Sequence, residues 1–418
     1  MKTVNILHLT DLHFSQEYRG TPVVDVRDKS LTGSSMAATY EGDCRIRFHA
    51  EVLRLLGGQT VDMIAFTGDL GFKFDTTNLA LGADYIESLA KRLNVSSCNV
   101  VVTPGNHDVQ RDAPSGQELA EFSRVCDERG FSHAGAECPA SLEVKGLPVL
   151  ALNSCMGASV HALHGIPESF WIKVQKDLAK YEQALSSEDT IGKIKDDLKY
   201  QVQCMDIPAL GFAQIDAILA QLDDSESQSA LVLMHHNPVP TDNVQIRPYA
   251  NLLDSGPLLY KIFNSNKHVI LLHGHTHCKA ELSAHNHGRG GRGVISAIGN
   301  SGLSSDSRSE ASFVQIILTD QGCLAKANVF SLRRNAASYE KEFAYSVSRR
   351  SPSELPLLNE VVERLPREEM FTFTQAAELL DKPADERLAQ SIVQLESAVL
   401  DITNMSEDYM KWRIKRRI

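Results

Sequence analysis

Long apolar runs, paired cysteines, internal repeats and an excess of positive charge are all missing from this chain, and each absence removes a class of protein. No apolar stretch approaches the roughly 20 residues that cross a bilayer, so no membrane-spanning helix is expected. The eight cysteines show no C-x-x-C pair and no short regular spacing. They read as reduced thiols, mostly core filler, and not as a disulfide frame or a zinc ribbon. A net charge of -11 argues against the whole surface being a nucleic-acid binder, which needs a concentrated basic face. Local basic patches stay open. Met1 to Leu7 carry neither a signal-peptide core nor a cleavage site, so the expected location is the cytoplasm.

What is present suits a packed globular protein: 418 residues, 43% of them hydrophobic. Short apolar runs at Val4 to Leu9, Val61 to Phe66, Asn99 to Val102, Val149 to Leu152, Ala230 to Met234 and Val269 to Leu272 predict buried strands. Between them, Phe48, Val52, Leu55 and Leu56 share one helical face, as do Leu79, Ile86, Leu89 and Leu93, and Phe212, Ile215, Leu219 and Leu222. Strand and helix in alternation imply βαβ units and a largely parallel sheet. Val294 to Ile298, Phe313 to Thr319 and Cys323 to Ser331 have no long helix between them and predict antiparallel strands closing the domain. From about Ser351 the chain turns proline-punctuated, and Leu388, Ile392, Leu395 and Val399 form an amphipathic stripe. This predicts two parts, a catalytic domain over 1–345 and a small helical appendage over 346–418.

Five polar blocks supply the chemistry: Asp11-Leu12-His13, Gly68-Asp69, Gly105-Asn106-His107-Asp108, His235-His236 and Gly274-His275-Thr276-His277. Four of them directly follow a strand-like run, which sets their side chains at strand ends. In extended chain Asp11 and His13 would point the same way, and His275 and His277 would repeat that geometry. Carboxylate, amide and imidazole donors form a mixed set suited to manganese, iron or zinc. The donors outnumber the needs of one ion, so two metal ions sharing Asp69 are the economical arrangement. Such a pair would activate water at neutral pH for attack on phosphorus. The loop histidines His285 and His287 and Cys278 read more simply as surface and packing residues.

These blocks resemble the calcineurin-like metallophosphoesterases, whose signature is D-x-H, G-D, G-N-H-[D/E], H and G-H-x-H. The resemblance spans residues 11 to 277 and implies an α/β fold, a four-layer αββα sandwich. It implies that Asp11, His13 and His277 hold one ion, that Asn106, His275 and one of His235 and His236 hold the other, and that Asp69 bridges. Spacing to Pro238 favours His236, the strand end favours His235, and the preference goes to His236. His107, as imidazolium, would stabilise the transition state or protonate the leaving oxygen, with Asp108 holding its ring.

Departures from relatives narrow the substrate. The chain reads Gly68-Asp69-Leu70-Gly71-Phe72, without the arginine-containing extension of protein phosphatases or the tyrosine ligand of purple acid phosphatases. The blocks look most like the cyclic-nucleotide phosphodiesterase branch, so a nucleotide-type phosphodiester is the expected substrate. A nuclease acting with a protein partner is the alternative, and a regulatory protein with a structural metal site is a third reading. The C-terminal helices offer a surface for a partner or for self-association. The run Lys411-Trp412-Arg413-Ile414-Lys415-Arg416-Arg417 reads first as a frayed, solvated terminus, with nucleic-acid contact less favoured.

Overall fold

The computed structural model describes residues 1–14, 44–72, 74–111, 113–114, 116–135, 139–158, 208–238, 251–265, 267–277, 280–285, 293–304, 309–320, 322–335, 338–347, 357–367, 369–395, 400–405 and 408–416. The loops expected from sequence over 18–44 and 302–311, the glycine-rich link expected over 288–293 and the charged helical insertion expected over 186–204 lie wholly or partly outside these residues, as do Cys278, His287 and Val399.

Two sheets stack face to face. The first contains β1 (Lys2–Leu9), β2 (Met63–Thr67), β3 (Val100–Thr103), β4 (Ser132–His133), β11 (Glu310–Leu318), β12 (Leu324–Asn335) and β13 (Ser338–Val347), in the order β13-β12-β11-β1-β2-β3-β4. The second contains β5 (Ala140–Val144), β6 (Leu147–Ala151), β7 (Ser229–Leu233), β8 (His268–His273), β9 (Ala280–His285) and β10 (Val294–Gly299), in the order β5-β6-β7-β8-β10-β9. Strands β1, β2, β3 and β4 run parallel, as do β6, β7, β8 and β10; β11, β12 and β13 of the first sheet and the edge strands β5 and β9 of the second pair antiparallel with their neighbours.

Period-two alternation explains the layers. Along β1, Val4 and Ile6 enter the core between the sheets with Met63, Val101, Leu231, Leu233, Ile270 and Leu272. Leu7 and Leu9 face the other way, onto the helices α1 (Cys44–Leu56), α2 (Thr76–Leu93) and α3 (Ala120–Asp127). The outer face of the second sheet is covered by α4 (Phe212–Asp224) and α5 (Ser255–Asn264) through Leu150, Val232, Leu271, Ile215 and Leu258. The result is the expected four-layer αββα sandwich.

Among the described side chains the helix faces follow the apolar spacing, except that Leu93 is only partly buried and Phe212 is exposed. Phe48, Val52, Leu55 and Leu56 are buried, and so are Leu79, Ile86 and Leu89. Phe212 is 76% exposed, because it is the first residue of α4 and lies before the turn that meets the sheet.

The C-terminal segment is not purely helical. It carries α6 (Leu358–Arg364), β14 (Met370–Thr372), α7 (Phe373–Leu380), α8 (Glu386–Gln394), β15 (Leu400–Thr403) and β16 (Arg413–Arg416), with a three-stranded sheet ordered β14-β16-β15. Strands of three or four residues with alternating charges give too short a period-two signal to stand out in sequence. Leu388, Ile392 and Leu395 line its core, which closes onto Ile317 of β11 and Ala325 of β12.

Candidate metal centre

All five blocks lie just beyond the C-terminal ends of parallel strands: β1, β2 and β3 in one sheet, β7 and β8 in the other. The parallel directions therefore carry residues from two sheets to one end of the sandwich. The expected extended geometry does not hold there. Asp11, His13, Asp69, His275 and His277 all have positive φ, from 47° to 70°. Turning, not alternation, aims Asp11 and His13 together. Left-handed backbone at a non-glycine residue costs about 1–3 kcal/mol and marks sites where the surroundings impose it. Here the restraint is visible: the N–H groups of Asp11, Leu12 and His13 donate to the carbonyls of Gly68 and Asp69 at 2.9 to 3.1 Å. Close approach also explains Gly105, where a Cβ would collide with Asp69 Oδ1.

The donors converge on Asp69. Its Oδ2 lies 3.5 Å from His13 Nε2 and 3.4 Å from His235 Nε2. On one side Asp11 Oδ1 faces His13 Nε2 at 3.6 Å and His277 Nε2 at 3.4 Å. On the other, His235 Nε2 lies 3.1 Å from Asn106 Oδ1 and 3.2 Å from His275 Nδ1. Three donor groups, Asp11/His13/His277, Asp11/Asp69/His235 and His235/His236/His275, each bring their ligand atoms within 4.8 Å of one another. Asp11 Oδ1 is buried and, among the described residues, accepts no hydrogen bond. Mixed nitrogen and oxygen donors at this crowding fit a transition metal.

The electrostatics call for a cation. Burial disfavours charge on Asp69, yet His235, His107 and His13 hold its carboxyl well below the usual range. Burial likewise works against Asp11, and His277 and His13 hold it low. For His235, burial would lower the pKa, but Asp69 and Asp11 override it and push it up to about 10. A proton thus sits among the carboxylates where a metal ion would compete for the same lone pair.

Both members of the histidine pair reach the centre, and two other expectations change. His235 Nε2 meets Asn106, His275 and Asp69, and His236 shares a donor group with His235 and His275. His236 Nδ1 lies 2.9 Å from Ser154 Oγ, which also accepts the N–H groups of His235 and His236. Asp108 does not hold the His107 ring: its carboxylate accepts the backbone N–H groups of Asp69, Leu70, Gly71 and Gly105 at 2.8 to 3.3 Å. It clamps the end of β2 to the end of β3. Burial and Asp69 push its pKa up to about 7, against the pull of those N–H donors. Finally, burial lowers the His107 pKa to about 4, so the ring is neutral and not an imidazolium at pH 7. That ring stacks on Phe72 at 5.3 Å and meets the edge of His13 at 4.8 Å.

Several contributors carry no motif in the sequence. The buried Arg45 donates to the carbonyls of Leu12 and His13 at 2.7 and 3.1 Å. Thr10 Oγ1 reaches Asp11 Oδ2 at 2.7 Å. Arg111 brings a guanidinium within 3.5 Å of the Asn106 carbonyl oxygen. Only the cation soon after Gly105-Asn106-His107-Asp108 left a legible signal.

A family model described as calcineurin-like phosphoesterase matches residues 4–279. The chain belongs to that family. A 109-residue stretch is 30% identical to the "Uncharacterized metallophosphoesterase-like protein YydB" of Bacillus subtilis (strain 168), covering 26% of this chain and 18% of that protein. Among solved structures, the NAD nucleotidase NadN of Haemophilus influenzae aligns at 11% identity with a TM-score of 0.39, over 82% of this chain and 54% of that one. The sulfate thiohydrolase SoxB of Thermus thermophilus aligns at 11% identity with a TM-score of 0.39, over 81% and 58%. This calcineurin-like chain therefore spans less than two thirds of each of these proteins. Among the described residues no helix is long and apolar enough to cross a membrane.

Proposed function

We infer that this protein hydrolyses a phosphodiester of nucleotide type, using metal ions held by these clusters. The observation that carries the reading is Asp69 Oδ2, within 3.5 Å of a histidine nitrogen from each of two donor groups. Asp11, His13 and His277 would hold one ion, and Asn106, His235 and His275 a second, with Asp69 shared. Manganese, iron and zinc all suit these donors. When bound, such ions supply Lewis-acid stabilisation of charge on the phosphoryl group and acidify water.

The chain's own groups set up the rest. Asp108 and Arg45 hold the two strand-end turns, so the carboxylates need not rearrange as charge develops. His107 offers an N–H to a phosphoryl or leaving oxygen. With a pKa of about 4 it acts at neutral pH as a hydrogen-bond donor, since only about one ring in a thousand is protonated. Arg111, beside Asn106, adds positive charge for an anionic substrate. No side-chain nucleophile is needed, so no covalent intermediate is expected.

The test is a reconstitution. Chelated protein, reloaded separately with manganese, iron or zinc, is offered a chromogenic bis-phosphodiester, cyclic nucleotides and labelled DNA. Turnover of the small diesters that vanishes on chelation and returns with metal supports the reading; metal-loaded protein inert on all of them sinks it.

A further inference from the structure

The C-terminal unit runs helix, strand, helix, helix, strand, strand, and its sheet order β14-β16-β15 is antiparallel throughout. The first strand pairs with the third and the third with the second, which is the arrangement of a winged helix-turn-helix, with β15, the following turn and β16 as the wing. Such an arrangement assigns no ligand by itself. The side chains on the wing do.

The basic run is not a frayed end. Arg413–Arg416 form the central strand of the sheet, and alternation sorts its side chains by face. Trp412 and Ile414 are fully buried in the core with Phe373 and Leu388. Arg413 is exposed and Lys415, about 6.6 Å further along the strand, is half-buried on the same outer face, and the exposed Lys411 ends the single 3-10 turn just before the strand. The register sets Thr372 and Thr403 beside Arg413. Next to this row lies an open depression of about 630 Å³ lined by Thr372, Asn404, Met405, Met410, Lys411 and Arg413. Met410 is 50% exposed and Met370, across from Lys415, 58%.

We propose that this sheet face binds the backbone of a single-stranded nucleic acid. Charge complementarity carries the choice: in a chain of net charge -11, Arg413 and Lys415 share the open face of one strand and the exposed Lys411 stands just before it. The spacing of Arg413 and Lys415 is comparable to the step between successive phosphates of an extended strand. Threonine hydroxyls can donate to phosphate oxygens, and the methionines give an unstacked base a polarisable apolar surface. Nearby carboxylates do not block it. Asp408 is 3.1 Å from Lys411 and Asp401 lies opposite Lys415, but exposed pairs are worth about 0–1 kcal/mol and exchange readily for phosphate.

A duplex fits less well. In helix-turn-helix readers the second helix enters the major groove by its N-terminal residues. Here that helix is α8, which begins with the acidic Asp385 and Glu386, and Glu386 lies against Asp320 in the turn between β11 and β12. A duplex at that end would meet carboxylates and the catalytic domain. The wing is left as the accessible cationic element.

The inference rests on the C-terminal sheet and stands apart from the phosphoesterase reading, because its test measures binding under chelation. Fluorescence anisotropy of the full chain with labelled single-stranded DNA, and with the same sequence as duplex, gives the affinities. Single strand should be preferred, and three phosphate contacts predict a fall of about twentyfold in affinity between about 50 and about 200 mM salt. The triple variant K411E/R413E/K415E should bind at least about tenfold more weakly with a flatter salt slope, while its small-diester turnover and thermal unfolding match the parent. Absence of single-strand binding at low salt, unchanged affinity in the triple variant, or a preference for duplex over single strand would each overturn it.

Discussion

His235 Nδ1 donates to the carbonyl oxygen of Thr67, the last residue of β2, at 2.7 Å. A residue of the second sheet is thereby oriented by the first, and its other nitrogen is turned to Asp69, Asn106 and His275. An imidazole whose one nitrogen is committed to a backbone carbonyl presents the other as a fixed ligand. His236, its neighbour in sequence, has its Nδ1 2.9 Å from the Ser154 hydroxyl instead of a backbone carbonyl, while sharing a donor group with His235 and His275.

From this contrast, His235→Ala and His236→Ala should separate. The first should lose bound metal and cut kcat/KM by more than about a hundredfold; the second, by analogy with supporting residues, about tenfold to a hundredfold with metal content largely retained. Metal analysis beside steady-state kinetics decides the matter, and equal metal loss in both variants would return His236 to the ligand set.

Asp108→Asn tests the clamp. An amide keeps one acceptor oxygen and turns an NH2 toward two buried N–H groups, donor against donor. Two of the backbone donors, either Asp69 and Gly105 or Leu70 and Gly71, lose their partner. At about 1–3 kcal/mol for each unsatisfied group, the loss of stability should reach about 2–6 kcal/mol in urea unfolding. Unchanged stability with lost turnover would instead argue for Asp108 in the chemistry.

The sequence was legible where burial dictates pattern. Val4, Ile6, Leu7 and Leu9 of β1 alternate between two cores, and that alternation is written in residue type. The convergence of these blocks was legible because strand-end blocks of Asp, Asn and His have few structural uses in common. Their conformation was not, since left-handed φ at Asp11, His13 and Asp69 is imposed by hydrogen bonds from turns distant in sequence. Arg45 was missed for the same reason: a lone arginine opening a helix gives no sign that it will be buried 32 residues from the carbonyl it holds. The short strands of the wing escaped because three or four residues cannot establish a period.

Arg45 should be irreplaceable by a neutral side chain of similar length. Its guanidinium donates to two carbonyls of the Asp11 to His13 turn and lies 4.3 Å over the Phe14 ring. Arg45→Met leaves those carbonyls buried without that donor, at about 1–3 kcal/mol each, and frees the turn that aims Asp11 and His13. Weaker metal affinity should accompany the fall in stability, with Arg45→Lys recovering part of both. Stability lost with metal affinity intact would limit Arg45 to packing.

His8 gives the protein an acid sensitivity that can be assigned to one residue. It is fully buried between the sheets, its Nε2 2.9 Å from Thr67 Oγ1. Burial, with His273 adding to it, lowers its pKa from 6.5 to about 3. The native state therefore keeps the ring neutral over a range in which the unfolded chain takes up a proton. Where the unfolded state binds more protons, stability rises with pH, so this contribution is present above pH 6.5 and is lost as pH falls toward 3. The slope per histidine is at most about 1.4 kcal/mol per pH unit. Urea unfolding of the parent and of His8→Gln at a series of pH values should give curves that diverge below 6.5, the variant losing less. Parallel curves would mean that His8 takes up its proton in the folded protein as readily as in the unfolded one.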